Sequence, residues 1–388
     1  MSHYNTIFNQ VLQIPSRFKF EQLVKQYNGN RYVKHFSCWN LFTVLLYAQI
    51  DGKDSLRDIE TGLMIQNGKW YHLGLKNVKR STISDANNRV DYRIYEGMFY
   101  EILKNCKDIT PKHKFRFNNP LYTIDSTIID LCLRMYPWAK FRKRKGALKL
   151  HYKYDHSGGI PDFLVISDGK QHDVKVAKTS DIPIIADSIT SIDRAYIDYR
   201  YLSTINRARA YFVTRAKSNI KYEVVGQQEN SERQGILGDF RIRLTGYYQS
   251  KAYPEDLRLV IYKDKESGKV FEFLTNNFQL SPVTIARIYK ARWAIEIFIK
   301  WIKQNLKIKS FLGTSKNAVM SQIWVAMCYY LMLAYIKYQS KYKYSLLELN
   351  RVIKGSLFFT RSIIDLFSLN RYTIRKIREP DGFQLELF

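Results

Sequence analysis

Cysteine is scarce in this sequence of 388 residues. The four that occur, Cys38, Cys106, Cys132 and Cys328, lie far apart, and no two of them form a C-x-x-C pair. A structural zinc site is therefore not expected, because such sites draw their ligands from closely spaced pairs. Isolated cysteines are typical of a reducing compartment rather than of a disulfide-bonded secreted domain, so we expect a cytoplasmic protein.

Long apolar runs are also rare. The N-terminal segment is polar and mixed in character, so the sequence predicts no signal peptide. The exception is 318–336, a run of 19 residues without a charge, which is long enough to cross a membrane. Because this run contains Ser321 and Gln322 and has no second run like it, we expect the buried helix of a large core and no membrane partner.

Acidic residues are outnumbered, since 35 Asp and Glu against 62 Lys and Arg leave a formal charge of +27. An excess of this size indicates a polyanionic partner, with nucleic acid as the first candidate and an anionic membrane surface as the second. The basic residues are spread along the chain rather than gathered in a tail. This distribution favours a folded surface that contacts the phosphates of a nucleic acid backbone.

Residues 1–115 have a helical pattern. Ser55, with Asp58 three positions later, predicts the start of one short helix. A second short helix opens with Lys79, Arg80, Ser81 and Thr82. Two short helices joined in this way favour a helix-turn-helix that reads DNA, although helical hairpins with polar faces also occur in proteins that do not bind DNA.

The pattern changes to strands from about residue 119. Strands are predicted at 121–129, 147–154, 161–167, 195–198 and 210–214. Residues 223–277 predict further strands, and Ser281-Pro282 then predicts the start of a long helix, with Ser at the cap and Pro in the first turn. This order is typical of a mixed α/β sheet flanked by helices, with a strand-rich insertion before the last helix.

Three acidic residues of this α/β region are the candidates for a catalytic site. Asp125 lies inside an apolar strand, Asp198 ends the strand predicted at 195–198, and Glu296 lies on the long helix. A carboxylate in an apolar strand needs a partner or a metal ion. Converging carboxylates suit Mg²⁺, and two such ions support in-line phosphoryl transfer. With a basic protein, the expected substrate is a nucleic acid phosphodiester.

Other aspartates compete for the same positions. Asp187 and Asp193 are alternatives to Asp198, but their neighbours along the chain are turn-like. Asp130 is an alternative to Asp125, but on a strand two side chains five positions apart point to opposite faces. The sequence therefore favours Asp125 and Asp198.

The long helix carries a polar stripe. Tyr289, Arg292, Glu296 and Lys303 stand at offsets 0, 3, 7 and 14. On a regular helix these four side chains fall within an arc of about 60°. The alternative is that Glu296 only pairs with Arg292 and Lys300 on a solvated surface.

The spacing Tyr289-x2-Arg292-x3-Glu296-x6-Lys303 resembles the Y-R-E-K signature of a large group of insertion-sequence transposases, the family numbered four. Two further blocks resemble the same family. Asp125-Ser126-Thr127 is similar to its first catalytic aspartate, and Phe212-x2-Arg215-x-Lys217 is similar to a later strand with its basic residues.

The resemblance implies a division into three parts. Residues 1–115 are expected to form a helical DNA-binding domain, and 116–340 a ribonuclease-H-like catalytic domain that the β-rich insertion 223–277 interrupts. Residues 341–388 are expected to form a C-terminal helix and a mobile tail. The fold class is therefore α/β.

The resemblance also implies an activity. A triad of Asp125, Asp198 and Glu296 would hold two Mg²⁺ ions, which Mn²⁺ can replace, to cut the element's ends and join the 3′-OH to target DNA. Tyr289, Arg292 and Lys303 would hold phosphates. The partners implied are the terminal inverted repeats, the target duplex and a second copy in a homodimer, in a bacterial cytoplasm at the nucleoid. The alternatives are a ribonuclease-H-like nuclease that does not join DNA, and a DNA-binding protein derived from a transposase.

A basic stretch follows the first catalytic strand. Residues 131–154 contain eight Lys and Arg and no acidic residue, interleaved with Trp138 and Phe141. We expect a DNA-contacting hairpin here, although a run of charge also suits a solvated face. The central basic residues are Arg142, Lys143, Arg144 and Lys145.

Two further features leave alternatives open. Some relatives place a Trp in the insertion to stack on a flipped base during hairpin formation, but 223–277 contains none. The aromatic substitutes are Phe240, Tyr247, Tyr248 and Tyr253. The last five residues, Gln384-Leu385-Glu386-Leu387-Phe388, resemble the peptide by which replication proteins dock on the sliding clamp. The same alternation of Leu385, Leu387 and Phe388 also suits a small edge strand packed on the protein's own core.

Overall fold

The computed structural model describes residues 5–142, 145–170, 175–176, 182–228 and 235–368. It divides the chain into two compact units, Met1–Thr110 with Asn305–Phe388, and Pro111–Gln304. The C-terminal helices belong to the same compact unit as the N-terminal helices. The three-part division expected from the sequence, with bounds at 115, 340 and 341, stays a prediction.

The first unit begins with short helices. They are α1 Ile7–Leu12, α2 Arg17–Gln26, α3 Cys38–Asp51, α4 Leu56–Ile65, α5 Trp70–Leu73, α6 Arg80–Arg89 and α7 Arg93–Lys107. The predicted start of α4 is confirmed, because the Ser55 side chain accepts a hydrogen bond from the Asp58 backbone N–H. α4 and α6 are the two short helices expected there, and α5 lies in the segment between them. Whether this pair reads DNA stays a prediction.

The second unit contains the strands. They are β1 Leu121–Leu131, β2 Lys140–Arg142, β3 Lys145–Asp155, β4 Ile160–Asp168, β5 Ile189–Ile192, β6 Tyr211–Arg215, β7 Tyr222–Gln227, β8 Ile236–Leu244, β9 Leu257–Lys263 and β10 Val270–Thr275. Its helices are α8 Tyr199–Arg207, α9 Tyr247–Ala252, α10 Pro282–Ala291 and α11 Trp293–Asn305.

All these strands belong to one mixed sheet. Its first half has the order β4-β3-β1-β5-β6, in which β3 is antiparallel to β1 and β4 while β5 and β6 run parallel to β1. This is the strand order of a ribonuclease-H-like fold. The insertion extends the same sheet, since β10 pairs with β6 and is followed by β9, β8 and β7. The predicted α/β class and the strand-rich character of 223–277 are confirmed.

One predicted strand is wrong. The strand expected at 195–198 is a 3₁₀ turn over Arg194–Tyr196, and the strand of this region is β5, which ends earlier. Tyr196 and Ile197 are buried in the core, so the apolar pattern reflects a buried turn rather than an extended chain. The residue that directly follows the strand is therefore Asp193.

The long helix predicted from Ser281 is two helices. The Ser281 side chain accepts a hydrogen bond from the Thr284 backbone N–H, and Pro282 occupies the first turn, as expected. At Arg292 the helix tightens, because the Arg292 N–H bonds to the Tyr289 carbonyl three residues back rather than four. The break separates α10 from α11. The polar stripe of the sequence therefore crosses a junction.

A buried ion pair anchors the insertion to the chain that leads into α10. The Arg258 guanidinium, 2% exposed, makes a bidentate pair with Asp239 at 2.6 and 2.8 Å, which joins β9 to β8. Its remaining nitrogen donates to the carbonyls of Asn277 and Leu280. A buried pair with all its donors satisfied holds one geometry. The strands thus fix the point where the helix pair α10–α11 begins.

The first unit ends with α12 Lys316–Gln339, α13 Leu346–Ser356 and α14 Ile363–Ser368. In the part of the chain that the structure describes, α12 is the helix with the length and composition of a membrane span, and it is almost entirely buried. The Trp324 ring packs at 5.3 Å from the Phe99 ring of α7. The prediction of a buried helix is confirmed. The single C-terminal helix expected within 341–388 is instead two helices, α13 and α14.

Candidate active site

Two aspartates follow one pair of residues on neighbouring strands. β1 and β5 run parallel, with Ile124 paired to Ile192. The next residue in the chain is an aspartate in both cases, Asp125 within β1 and Asp193 directly after β5. Because both aspartates come one position after this pair, they lie close together, and the Asp193 carboxylate contributes to the electrostatics of Asp125. The Asp125 carboxylate is anchored there by the backbone N–H of Ser126 at 2.8 Å.

A third carboxylate, that of Glu296 on α11, is linked to Asp125 through Arg292. One guanidinium nitrogen lies 2.6 Å from the Glu296 carboxylate, and another lies 3.7 Å from the Asp125 carboxylate. We call Asp125, Asp193 and Glu296 the carboxylate site. Arg292 stands at the junction between α10 and α11, so its side chain connects the helices to the sheet.

The electrostatics of Asp125 show how close these charges are. Burial, with a smaller contribution from the carboxylates of Asp193 and Glu296, raises the pKa of Asp125 to about 6. The Ser126 backbone N–H and Arg292 oppose this rise. A carboxyl with a raised pKa in a group of like charges is typical of a functional site, because such a group is stabilised by a cation.

This raised pKa predicts a pH-dependent stability. The folded-state pKa of Asp125 lies above its usual value of 3.8, so its protonated form contributes stability that is lost as pH rises through about 6. With divalent metal removed by EDTA, the Asp125→Asn variant does not lose this stability, because asparagine does not titrate. It is expected to exceed the wild type by on the order of 2–3 kcal/mol above pH 6, with little difference near pH 4. Unfolding curves at several pH values measure this.

The matched control is Asp130→Asn on the exposed part of β1. Its stability relative to the wild type is expected to change by less than about 0.5 kcal/mol over the same pH range. An Asp125→Asn variant whose advantage did not grow with pH would contradict the account of the carboxylate site.

Asp198 lies elsewhere, five residues beyond Asp193. It is the N-cap of α8, where its carboxylate accepts hydrogen bonds from the backbone N–H groups of Arg200 and Tyr201. This is the usual role of an aspartate before a helix. The catalytic role predicted for Asp198 stays a prediction, and the geometry favours Asp193 for the place beside Asp125.

The other residues of the polar stripe are placed as follows. The Tyr289 ring packs against the Phe273 ring at 5.1 Å, and the Arg292 guanidinium lies 5.7 Å from the centre of the Tyr289 ring. Lys303 is partly buried on α11, about two turns beyond Glu296. Tyr289 therefore adjoins the carboxylate site through Arg292.

A cavity of about 630 Å³ adjoins these residues. Its aromatic lining is Tyr262, Phe271, Phe273, Tyr289 and Trp293, and its basic lining is Lys265, Arg287, Lys290 and Arg292. Aromatic rings provide stacking surfaces for nucleic acid bases, and the cations around them provide contacts for the phosphates. Because the sequence analysis looked for a Trp only within 223–277, it missed Trp293. The position of Trp293 directly after Arg292 could have identified it.

The aromatic substitutes considered for base stacking differ in access. Tyr253 is 1% exposed and packs in the core, so it is not accessible to a base. Phe240 is partly buried against the same core. Tyr247 and Tyr248, on α9, are 65% and 84% exposed. The cavity adds Tyr262, which none of the sequence patterns singled out.

The basic residues near the sheet have structural contacts. The Arg215 guanidinium lies 4.9 Å from the Phe271 ring, beside the cavity. The Lys217 ammonium donates to the Ile197 carbonyl at 3.0 Å, just before Asp198. These contacts hold the end of β6 against the turn that follows Asp193.

The other predicted DNA contacts are exposed or lie outside the described residues. At the start of α6, Lys79, Arg80 and Ser81 are exposed and Thr82 is partly buried. The predicted hairpin exists as β2 and β3, with Arg142 paired to the exposed Lys145. Lys143 and Arg144 lie outside the described residues, as do Gln384, Leu385, Leu387 and Phe388 of the tail.

Comparison with known proteins assigns the family. The family described as "Transposase DDE domain" matches residues 117–332, which include Asp125, Asp193 and Glu296. This chain belongs to that transposase family. A second family, "Domain of unknown function (DUF4372)", matches residues 3–76 of the first unit.

Relatives of the transposase come from several bacteria. It is 35% identical over 285 residues to "Putative transposase y4zB" of Sinorhizobium fredii, covering 72% of this chain and 78% of the relative. It is 30% identical over 270 residues to "Probable transposase for insertion sequence element IS5377" of Geobacillus stearothermophilus, covering 69% and 70%. The chain is therefore a DDE-type transposase of an insertion sequence, and the resemblance stated from its motifs is confirmed.

The transposase is also weakly similar to a solved structure. It is the piggyBac transposase synaptic complex with hairpin DNA, at 10% identity and a TM-score of 0.44, covering 95% of this chain and 82% of that chain. At this level the likeness does not establish a shared fold.

DDE transposases use divalent metal ions, and the donor set of the carboxylate site fits such an ion. Three carboxylates offer the oxygen ligands that hard divalent cations prefer. In the part of the chain that the structure describes, no three Asp, Glu, His or Cys side chains are arranged as a ready-made metal site. Arg292 contacts two of the three carboxylates and supplies positive charge there.

Proposed function

We propose that the transposase cuts phosphodiester bonds at the ends of its element and joins the freed 3′-OH to target DNA, at the site of Asp125, Asp193 and Glu296. The observation that supports this site is the register of β1 and β5, which places Asp193 beside Asp125. Arg292 links Asp125 to Glu296. In this proposal Asp198, the residue favoured by the sequence, caps α8 and thereby fixes the turn that begins at Asp193.

The metal proposed is Mg²⁺, with Mn²⁺ as a substitute because both prefer oxygen ligands in octahedral geometry. Two bound ions would activate the attacking oxygen and stabilise the leaving oxygen of an in-line displacement. Asp125, Asp193 and Glu296 would hold them. Asp125 is available as an ionised ligand above its pKa of about 6.

Phosphate binding is assigned to the basic residues beside the carboxylate site. Tyr289, Arg292 and Lys303 follow one another along the helix pair and would hold the scissile and neighbouring phosphates. Arg215 and Lys217, at the end of β6, lie next to the cavity and the Asp193 turn. Cations fixed around a reacting phosphate stabilise the charge that develops in the transition state.

Recognition of the element's ends is assigned to the first unit, where the exposed residues Lys79, Arg80 and Ser81, with Thr82, open α6. The β2–β3 hairpin of the second unit, around Arg142 and Lys145, would add phosphate contacts. We further propose that a homodimer brings two ends together at the nucleoid. The C-terminal motif Gln384-Leu385-Glu386-Leu387-Phe388 would dock on the sliding clamp.

A strand-transfer assay tests the proposed function. Duplexes that copy the element's ends, either intact or pre-cleaved to expose the 3′-OH, are incubated with the transposase, Mg²⁺ and plasmid target DNA. Joined products are expected, because the same carboxylate site serves cleavage and joining. Cleavage of intact ends without joining would support a nuclease instead. Specific binding without either reaction would support a DNA-binding protein derived from a transposase.

A further inference from the structure

Arg292 occupies an unusual place for a residue that holds DNA phosphates. Its side chain is only 14% exposed, and its two terminal nitrogens contact the Glu296 and Asp125 carboxylates. Its third nitrogen, Nε, is buried and has no hydrogen-bond partner among the residues that the structure describes. The guanidinium is thus turned inward to the acidic residues, and one of its donors stays unsatisfied.

The surrounding charges account for this inward position. Asp125, Asp193 and Glu296 are three acidic residues within interaction distance of one guanidinium. Burial disfavours a charge on Arg292, and its contacts with the Glu296 and Asp125 carboxylates offset that cost. Arg292 is the counterion of the carboxylate site in this structure.

A divalent cation at the same site requires the same oxygens. The 2.6 Å contact between Arg292 and Glu296 leaves no room for an ion between them. We propose that Arg292 keeps the carboxylate site closed to divalent metal until a DNA phosphate draws its guanidinium outward, so that metal loading and DNA binding are coupled. This inference rests on the proposed function, in which the three carboxylates hold the metal.

The chain around Arg292 allows such a movement. The residue stands at the tightened junction between α10 and α11, and short 3₁₀ segments within helices often mark hinges. It also lines the open cavity of about 630 Å³, beside the basic residues Arg287 and Lys290. The guanidinium therefore has space on the side away from the carboxylates, where a phosphate would meet three cations.

Coupling of this kind is reciprocal. If DNA raises the metal affinity by a certain factor, metal must raise the DNA affinity by the same factor. Coupling between two sites in one protein is commonly about 5- to 150-fold, and we expect about tenfold here. The consequence is a transposase that holds little metal before DNA is bound.

Mn²⁺ titration followed by electron paramagnetic resonance tests the proposal. The full chain is titrated alone and with a pre-cleaved end duplex whose 3′-terminus is deoxy and cannot be joined. For the wild type, DNA is expected to raise the Mn²⁺ affinity about tenfold. For the Arg292→Gln variant without DNA, the Mn²⁺ affinity is expected to be about tenfold higher than for the wild type. Adding DNA is expected to raise it little further. Arg292→Lys, which keeps the charge, is expected to remain near the wild type.

Arg287→Gln is the matched control, because Arg287 is an exposed cation on α10 that lines the same cavity. It is expected to weaken DNA binding and to leave Mn²⁺ affinity without DNA unchanged. Equal Mn²⁺ affinity of the wild type with and without DNA overturns the proposal, and this arm needs no variant. Unchanged or weaker Mn²⁺ binding in folded Arg292→Gln also overturns it. If the wild type binds no Mn²⁺ in either condition, the metal site of the proposed function fails as well.

Discussion

Replacing Asp193 with Asn is expected to lower the rates of end cleavage and strand transfer by roughly 10³-fold or more. The change removes one of the carboxylates beside Asp125 while keeping the size of the side chain, so the turn after β5 should form as before. In EDTA, where metal does not contribute to binding, the affinity for the end duplex is expected to change by less than about threefold, because phosphate contacts supply most of that affinity. Gel assays of cleavage and joining, with binding measured in parallel, give both quantities.

The matched control for this prediction is Asp198→Asn. Asparagine still accepts the hydrogen bonds from Arg200 and Tyr201 that cap α8, so the loss of stability should not exceed about 1 kcal/mol. Its activity is expected to stay within about tenfold of the wild type, since the cap is retained. The opposite pattern, an inactive Asp198→Asn and an active Asp193→Asn, would restore the assignment that the sequence favoured.

Affinity for an end duplex is expected to fall by roughly 10³- to 10⁵-fold between 50 and 200 mM salt, as for proteins with six to ten phosphate contacts. The formal charge of +27 and the basic residues around the cavity and α6 are the physical reason, because each neutralised phosphate releases counterions. Fluorescence anisotropy at a series of salt concentrations measures the slope. A nearly flat dependence would show that binding does not rest on phosphate contacts.

Charge variants locate the phosphate-binding residues. The slope in question is that of log affinity against log salt concentration. In the double variant Lys79→Ala and Arg80→Ala, its magnitude is expected to be smaller by about 2, which is close to 1 for each phosphate that the variant no longer neutralises. Lys25→Ala removes an exposed charge from α2, outside the helix pair α4–α6, and is expected to leave the slope unchanged.

The parts of the fold that the sequence predicted well are those with a local chemical signal. Ser281-Pro282 marks the start of α10 because a side-chain cap and a first-turn proline act within one helical turn. Runs of β-branched, aromatic and apolar residues predicted most of the strands, including those of the insertion. The uncharged run 318–336 predicted a buried helix, because an uncharged surface of that length must be covered.

The strand predicted before Asp198 was misplaced for a physical reason. Tyr196 and Ile197 are buried by packing of a short turn, and burial alone produces the same apolar pattern as a strand. The neighbour of Asp125 is set by strand pairing between β1 and β5, which is a non-local property. A single sequence carries no direct record of that register, so the turn-like surroundings of Asp193 counted against it.

The contacts of Arg292 could not be predicted in full from a regular helical pattern either. The arc that grouped Tyr289, Arg292 and Glu296 assumed one regular helix, whereas the chain tightens at Arg292 and starts a second helix. The grouping still succeeded for Arg292 and Glu296, which form an ion pair four residues apart. The contact of Arg292 with Asp125 depends on how the helices pack on the sheet.

The most direct test of the central claim is anomalous diffraction from Mn²⁺ in crystals of the transposase with a pre-cleaved end duplex. We expect anomalous peaks at about 2.0–2.3 Å from carboxylate oxygens of Asp125, Asp193 and Glu296, within the usual range for oxygen ligands. We also expect the Arg292 guanidinium to face a DNA phosphate. Mn²⁺ coordinated by Asp198 instead of Asp193, or no Mn²⁺ at Asp125 and Glu296, would contradict the account.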